Sequence, residues 1–247
     1  MQTTKGKKSW ARILIVDDHP MVRAGLMRLI EQQPDMQCCG EAATAAEARS
    51  TALKLQPDVT IVDLRLKSGD GLELIKDLVT EVRAMKILVL SQHNEQVYVE
   101  RALRAGALGF VAKDQPPEDV LQAIRSILMG DLYLSNAIAK RVLQQFATGH
   151  FETGRPGVER LSDRELVVLR LLGEGRSTRE TADELNISFK TVESHRENIK
   201  RKLGLEHAAE LMNYAARWVN QSTQPQSLDA EIKPSPSSAP PTRSGSS

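Results

Sequence analysis

Five polar residues of this 247-residue chain each follow a short apolar run, and together they have the chemistry of a metal or phosphate site. They are Asp17, Asp18, Asp63, Ser91 and Lys113. Adjacent carboxylates repel each other by roughly 4 kcal/mol at a separation of about 4 Å and a dielectric constant of about 20. Three carboxylates and one lysine leave excess negative charge, and hard oxygen ligands suit hydrated Mg²⁺. We therefore expect a divalent cation among these side chains.

The apolar runs that precede these residues alternate with amphipathic stretches up to about residue 130. The runs are ILIV (13–16), MQCCGEA (36–42), VTIV (59–62), ILVL (87–90) and GFVA (109–112). Continuous apolar runs are typical of parallel strands that are covered on both faces. TAAE at 44–47 has the spacing of a helix-capping box, and Gly106 marks a helix end. We predict a doubly wound, five-stranded parallel α/β sheet, which brings the polar residues to one edge.

The pattern changes after residue 130. Residues 131–157 are predicted to be a linker, in which NAIAKRVLQQF could form a short helix. Residues 158–220 predict a small all-α domain of four helices, with capping boxes at 162–165 and 177–180. The last segment, 221–247, is rich in Ser and Pro, so we expect it to be disordered.

Composition limits the class of protein. The formal net charge is +1 and the aromatic content is 4%, which argues against a polycation that coats nucleic acid indiscriminately. The adjacent Cys38 and Cys39 have neither disulfide-framework nor zinc-ligand spacing. No apolar signal core or membrane-length run is present. We expect a soluble, cytoplasmic protein with no membrane partner.

Positive charge is concentrated on one predicted helix, residues 188–202. Its cations outnumber Glu193 and Glu197, and they are Lys190, Arg196, Lys200, Arg201 and Lys202. A basic helix after a short turn is typical of a helix-turn-helix that enters the major groove, although a merely solvated helix has the same composition. The apolar stripe is predicted to be Val192, Ile199 and Leu203, with His195 partly buried beside it.

Several strings in the first part of the chain carry a family resemblance. They are ILIVDDHPMVRAGL, PDVTIVDLRLKSGDGLELI and GALGFVAKD, together with Ser91. With these motifs, residues 11–130 resemble the receiver domain of two-component response regulators. The resemblance implies that Asp63 accepts a phosphoryl group from a sensor histidine kinase. Asp18 and Asp63 would ligate Mg²⁺ directly. Asp17 would do so through water, and Arg65 through its backbone carbonyl oxygen.

The resemblance also implies roles for residues beyond the metal ligands. Lys113 would pair with the acyl-phosphate oxygens, and Ser91 would donate its hydroxyl to them. Phe110 stands at the position of a rotating aromatic that couples phosphorylation to the surface, but a buried core aromatic explains it as well. Two residues depart from the family pattern: Lys67 replaces a proline, and Ser91 replaces the commoner threonine.

The second part carries its own resemblance. LSDRELVVLRLLGEGRSTRETADELNISFKTVESHRENIKRKLGL resembles the LuxR-type helix-turn-helix of the NarL/FixJ subfamily. The resemblance implies that base edges face Lys190, Glu193, Ser194 and Glu197. It places Thr191, Arg196, Lys200 and Arg201 nearer the phosphates. Glu193 and Glu197 could read cytosine amino groups or disfavour wrong sites. In the last helix, Leu211, Tyr214 and Trp218 could pack on their own domain or form a dimer seam.

Together these features predict a phosphorylation-controlled DNA-binding transcription regulator, not an enzyme, that forms a homodimer when phosphorylated. We expect the unphosphorylated receiver to cover either the recognition helix or the Leu211–Trp218 seam. An aspartyl-phosphate hydrolase would usually have a second aspartate where Arg65 stands. A nucleotide switch would need a phosphate-binding glycine loop, which the sequence lacks. A vestigial pocket is disfavoured because all five polar residues are present.

Overall fold

The computed structural model describes residues 10–66, 68–91, 96–136, 138–140, 143 and 157–223. The predictions for Lys67, for residues 144–156 of the linker and for residues 224–247 of the tail lie outside the described residues. Residues 10–136 form an α/β part, and residues 157–223 form a helical part.

The α/β part alternates strands and helices from its first strand to its last helix. Its strands are β1 Ala11–Val16, β2 Met36–Ala42, β3 Val59–Val62, β4 Lys86–Ser91, β5 Gly109–Ala112 and β6 Tyr133–Leu134. Its helices are α1 Pro20–Glu31, α2 Ala45–Leu55, α3 Gly71–Glu81, α4 Gln96–Ala105 and α5 Pro117–Met129. Every predicted apolar run is a strand, so the predicted order of elements is confirmed.

The strands form one parallel sheet in the order β2-β1-β3-β4-β5-β6. The doubly wound sheet is confirmed, but it has a sixth strand in addition to the predicted five. This strand lies in the predicted linker, where Tyr133 pairs with Gly109. Gly130 ends α5 with a left-handed backbone (φ 95°) and turns the chain back to the sheet. Two residues are too few for hydrophobic periodicity to reveal a strand.

Apolar side chains cover both faces of the sheet. Leu14 and Val16 of β1 belong to the cluster that α2, α3 and α4 complete. Ile13 and Ile15 alternate with them and belong to the cluster on the α1 and α5 face. This alternation follows from the two-residue period of a strand, and it fixes the register of β1 against its neighbours. The carboxyl ends of the strands are therefore held rigidly at one edge.

The helical part contains a short 3₁₀ helix, Val158–Arg160, and four α-helices. These are α6 Asp163–Gly173, α7 Thr178–Glu184, α8 Phe189–Leu203 and α9 Ala208–Thr223. Both predicted capping boxes are confirmed, with Ser162 and Ser177 as the N-caps of α6 and α7. Helix α9 extends three residues into the segment predicted to be disordered. Among the described residues, none of the helices has the length and hydropathy that crossing a membrane requires.

Helices α6 and α9 approach each other closely at Gly173. A Cβ at this position would lie 2.4 Å from the carbonyl oxygen of Ala215, so only glycine fits. Leu211 and Ala215 are fully buried. Part of the predicted Leu211–Trp218 seam therefore packs within its own domain.

Candidate acidic pocket and nucleic-acid interface

Asp17, Asp63 and Lys113 meet at the carboxyl edge of the sheet, where each follows a strand. The Lys113 Nζ donates to Asp17 Oδ2 and to Asp63 Oδ2, both at 2.6 Å. Each aspartate is only 2% exposed. The lysine thus supplies positive charge between two buried carboxylates that end neighbouring strands.

Burial and charge act against each other in this pocket. Burial raises the pKa of Asp63, and the attraction of Lys113 lowers it without cancelling the effect of burial. Burial alone would lower the pKa of Lys113, but the carboxylates of Asp63 and Asp17 outweigh it and raise that pKa. Lys113 is therefore a firmly protonated cation beside a carboxyl that burial disfavours in its charged form.

The pocket contains a set of side-chain atoms that could hold a metal ion. Ligand atoms of Asp17, Asp18, His19 and Asp63 all lie within 4.8 Å of one another. Three of the four residues are carboxylates, which are the ligands that Mg²⁺ prefers. His19 was not predicted to belong to this cluster. Its ring Nδ1 lies 2.7 Å from Asp18 Oδ1, and its backbone N–H donates to Asp17 Oδ1 at 2.8 Å. The sequence signal for this role was the position of His19 directly after Asp17 and Asp18.

Two arginines support the acidic loops. The backbone N–H of Arg65 donates to Asp63 Oδ1 at 3.0 Å. Arg23, which the sequence did not single out, donates to the backbone oxygen of Asp17 at 2.7 Å and to the Glu41 carboxylate at 2.9 Å. Arg23 thus ties the loop after β1 to strand β2. Its place one turn into α1 offered no sequence signal for this role.

Ser91 and Phe110 lie on the two strands next to the pocket. Ser91 is the last residue of β4 and is buried, and its backbone oxygen accepts from the Lys113 N–H at 2.8 Å. Phe110 pairs with Val89 across β4 and β5 and is fully buried in the apolar cluster on the α2–α4 face. Phe110 is a core aromatic in this structure, and its switching role stays a prediction.

Helix α8 presents a polar face to solvent. Val192 and Ile199 are buried and Leu203 is partly buried, so the predicted apolar stripe is confirmed. Of the residues predicted to contact DNA, Lys190, Thr191, Ser194, Glu197 and Arg201 are exposed, and Glu193, Arg196 and Lys200 are partly buried. His195 is also partly buried, as predicted. Burial lowers its pKa, as do Arg164 and Lys202, while Glu165 opposes them.

Among the described residues, the α/β part packs on the helical part and leaves Lys190, Ser194 and Glu197 of this polar face exposed. A covered recognition helix, the first alternative for the unphosphorylated state, stays a prediction. The contact involves α4 and α9: the rings of Tyr98 and Trp218 lie 6.2 Å apart at an interplanar angle of 43°. Both residues are buried, at 5% and 7% exposure. The carboxyl end of the Leu211–Trp218 seam is therefore in contact with the α/β part.

Ion pairs at both ends of α6 accompany this aromatic contact. At its start, Asp163 accepts from Lys76 and Arg101, both at 2.5 Å, and Arg101 also donates to the backbone oxygen of Leu161 at 2.6 Å. Burial would raise the pKa of Asp163, but Lys76 and Arg101 outweigh it and lower that pKa. Just beyond the end of α6, Glu174 accepts from Arg65 at 2.5 Å. None of these pairs was predicted.

The sequence matches two family models. Residues 13–125 match the response regulator receiver domain, and residues 159–215 match the bacterial regulatory proteins of the luxR family. The first match spans the acidic pocket up to α5, and the second spans α6 to α8 and half of α9.

Curated proteins and solved structures are similar to this chain over most of its length. The oxygen regulatory protein NreC of Staphylococcus carnosus is 35% identical over 83% of this chain and 97% of its own length. The transcriptional regulatory protein LiaR of Bacillus subtilis is 35% identical with the same coverage.

Among solved structures, RcsB of Salmonella enterica serovar Typhimurium, bound to a promoter in the presence of phosphomimetic BeF₃⁻, is 31% identical with a TM-score of 0.62. The match covers 85% of this chain and 100% of that one. A structure of two RcsB dimers on two parallel DNAs is 29% identical with a TM-score of 0.53, over 84% of this chain and 98% of that one.

Proposed function

Because this chain belongs to the two-component response regulators of the NarL/FixJ subfamily, we propose that Asp63 is the residue that accepts the phosphoryl group. The chain is a DNA-binding transcription regulator of a two-component system. The observation that carries the proposal is the contact between the buried Asp63 and the Lys113 ammonium at 2.6 Å. A lysine in this position favours the ionised form of the carboxylate against the effect of burial, and it lies where charge accumulates on a transferred phosphoryl group.

The phosphodonor would be a phosphohistidine of a sensor kinase. A carboxylate oxygen of Asp63 attacks phosphorus, the new O–P bond forms, and the P–N bond breaks. The electron pair of that bond stays on the imidazole nitrogen of the kinase. The Arg65 N–H holds one carboxylate oxygen of Asp63 and Lys113 contacts the other, so the nucleophile is fixed in orientation. Ser91 would donate its hydroxyl to the phosphoryl oxygens.

We propose that Asp17, Asp18, Asp63 and the backbone carbonyl of Arg65 hold Mg²⁺. The close approach of the carboxylates supports this ligand set, since oxygen ligands with room for water suit this ion. The bound ion would offset the negative charge of the phosphoryl group. His19 borders the same cluster and neutralises part of its charge when protonated.

We propose that α8 enters the major groove of double-stranded DNA, and that a homodimer places two such helices on one site. The exposed basic face of α8 supports this, as does the DNA bound in the RcsB structures. The contacting residues would be Lys190, Thr191, Ser194, Arg196, Glu197, Lys200 and Arg201, and Glu193, which also lies on this side of the helix, is held by Thr178 and Arg196. Chromosomal DNA as the partner implies a cytoplasmic location.

Phosphorylation must reach the helical part through a contact that it changes, and Arg65 provides one. Its N–H binds Asp63, and its guanidinium binds Glu174. A phosphoryl group on Asp63 adds volume and charge beside this loop. Displacement of the loop would break the pair with Glu174 and release Trp218 from Tyr98 for dimer formation. Shifting such an equilibrium from 1:99 to 99:1 requires about 5.5 kcal/mol of preference.

Labelling of the full-length protein tests the assignment of Asp63. Acetyl phosphate with Mg²⁺ should attach one phosphoryl group, and peptide mapping should find it at Asp63. Asp63→Asn should abolish the label, whereas Asp77→Asn, a control at an exposed aspartate of α3, should not. Labelling of the Asp63→Asn protein to the wild-type level would contradict the proposal.

A further inference from the structure

Helix α8 carries two acidic residues on the side assigned to DNA, and the structure gives them different surroundings. Glu193 is 42% exposed and Glu197 is 67% exposed. Carboxylates are unusual on a surface that meets a polyanion, because each one repels the phosphates. Each therefore needs a compensating partner, either within the protein or on the DNA.

Glu193 finds its partners within the protein. Its Oε1 accepts from the hydroxyl of Thr178, the first residue of α7, at 3.0 Å. The same oxygen accepts from Arg196 at 3.1 Å, and Arg196 also contacts Thr178. These contacts tie α8 to the start of α7. The role of Glu193 is thus to hold the recognition helix in its orientation.

Glu197 is placed differently. It lies in the middle of the exposed face of α8, one turn from Ser194 and one turn from Arg201. Its Oε1 lies 2.9 Å from the Nζ of Lys200, whose side chain is only 15% exposed. The mostly buried Lys200 offsets part of the negative charge of Glu197, while the Glu197 carboxylate stays exposed to solvent. This arrangement lowers the electrostatic cost of bringing Glu197 to DNA.

The major groove offers few donors to a carboxylate. Only the N4 amino group of cytosine and the N6 amino group of adenine donate there. Adenine also presents the N7 acceptor beside its amino group, and an ionised carboxylate can only accept, so the two would repel. Cytosine presents no acceptor of its own in the major groove. The base that matches Glu197 is therefore cytosine.

We infer that Glu197 accepts a hydrogen bond from the N4 amino group of a cytosine and makes that base a requirement at one fixed position of each half-site. The inference rests on the proposed entry of α8 into the major groove. It separates the two acidic residues of the helix: Glu197 reads a base, and Glu193 positions the helix.

Selection of binding sites from random duplex DNA tests the inference with the phosphorylated full-length protein. The wild-type protein should enrich a site with cytosine at one position of each half-site. Glu197→Ala should lose the preference at that position alone. Glu197→Gln should shift it toward adenine, because an amide can both accept from N6 and donate to N7. Glu206→Ala, an exposed control outside α8, should leave the selected site unchanged.

A base analogue gives a second measurement that does not depend on a variant. Replacing the required cytosine by 2-pyrimidinone, which lacks the amino group, should weaken wild-type binding by about 10-fold. The same replacement should not weaken binding of Glu197→Ala further. A selected site that is identical for the wild type and Glu197→Ala, or an equal loss for both with the analogue, overturns the inference. If the phosphorylated wild type enriches no sequence, the proposed DNA recognition itself fails.

Discussion

The guanidinium of Arg65 and the carboxylate of Glu174 lie 2.5 Å apart and join the loop after Asp63 to the end of α6. Both side chains are partly covered, at 27% and 19% exposure. Since the backbone N–H of Arg65 also donates to Asp63, one residue contacts both the acidic pocket and the helical part. An event at Asp63 thus has a short physical route to α6.

Loss of this ion pair should loosen the contact between the two parts. We expect Arg65→Ala to raise the DNA affinity of the unphosphorylated protein about 1.4- to 5-fold, since partly exposed pairs contribute about 0.2–1 kcal/mol. Glu174→Ala should do the same, and the double variant should gain little more than either single one. Fluorescence anisotropy with duplex DNA measures this, with Arg83→Ala as an exposed control. Additive gains in the double variant would mean that the pair does not act as a unit.

Trp218 should report the release of α9. The only other tryptophan, Trp10, is 49% exposed, so Trp10→Phe leaves a single buried reporter. Phosphorylation should shift its emission to longer wavelength and increase quenching by acrylamide, because Trp218 leaves Tyr98. Tyr98→Ala should produce a similar shift without a phosphodonor. An emission spectrum that phosphorylation leaves unchanged would rule out this release.

Removal of Lys113 should make the thermal stability of the protein depend more strongly on bound Mg²⁺. Lys113→Ala leaves Asp17 and Asp63 buried without their cation, a loss that typically costs about 3–5 kcal/mol. We expect a lower Tm in EDTA and a larger gain on addition of Mg²⁺ than the wild type shows. Thermal unfolding with and without Mg²⁺ measures both effects. No Mg²⁺-dependent gain in either protein would argue against a metal site at these carboxylates, and equal gains would show that Lys113 does not compete with the ion.

The helical part should lose stability in mild acid because of His195. Burial lowers the pKa of this residue in the folded state below its unfolded value of about 6.5. The unfolded state therefore binds the proton more readily, and the stabilising contribution is present above about pH 6.5 and is lost as the pH falls through the folded pKa. His195→Gln should flatten the fall in Tm between about pH 7.5 and pH 5. A slope equal to that of the wild type would show that His195 is not responsible.

The sheet and its acidic edge could be predicted because their physical signals are local. Short apolar runs such as VTIV at 59–62 are typical of covered strands, and Asp63 follows directly at the strand end. Asp18 and Lys113 reach the same edge by the same reasoning. Strand β6 gave no such signal, because a two-residue strand depends on its partner and not on its own pattern.

The contacts between the two parts could not be predicted for a different reason. Lys76, Arg101, Asp163 and Glu174 have the composition of solvated helix faces, and their pairing depends on how the two parts dock. The sequence allowed two interpretations of Trp218, since an apolar residue on α9 can pack within its own domain or outside it. Its contact with Tyr98 lies between residues far apart in the chain, where periodicity carries no information.

The central claim is that a phosphoryl group on Asp63 controls DNA binding, and the DNA affinity of the full-length protein before and after phosphorylation tests it most directly. With acetyl phosphate and Mg²⁺, wild-type affinity for its selected site should rise by at least about 10-fold, or about 1.4 kcal/mol. Asp63→Asn should show no rise, and EDTA should remove the rise from the wild type. A gain that persists in Asp63→Asn, or a phosphorylated wild type that binds no more tightly than before, would contradict the account.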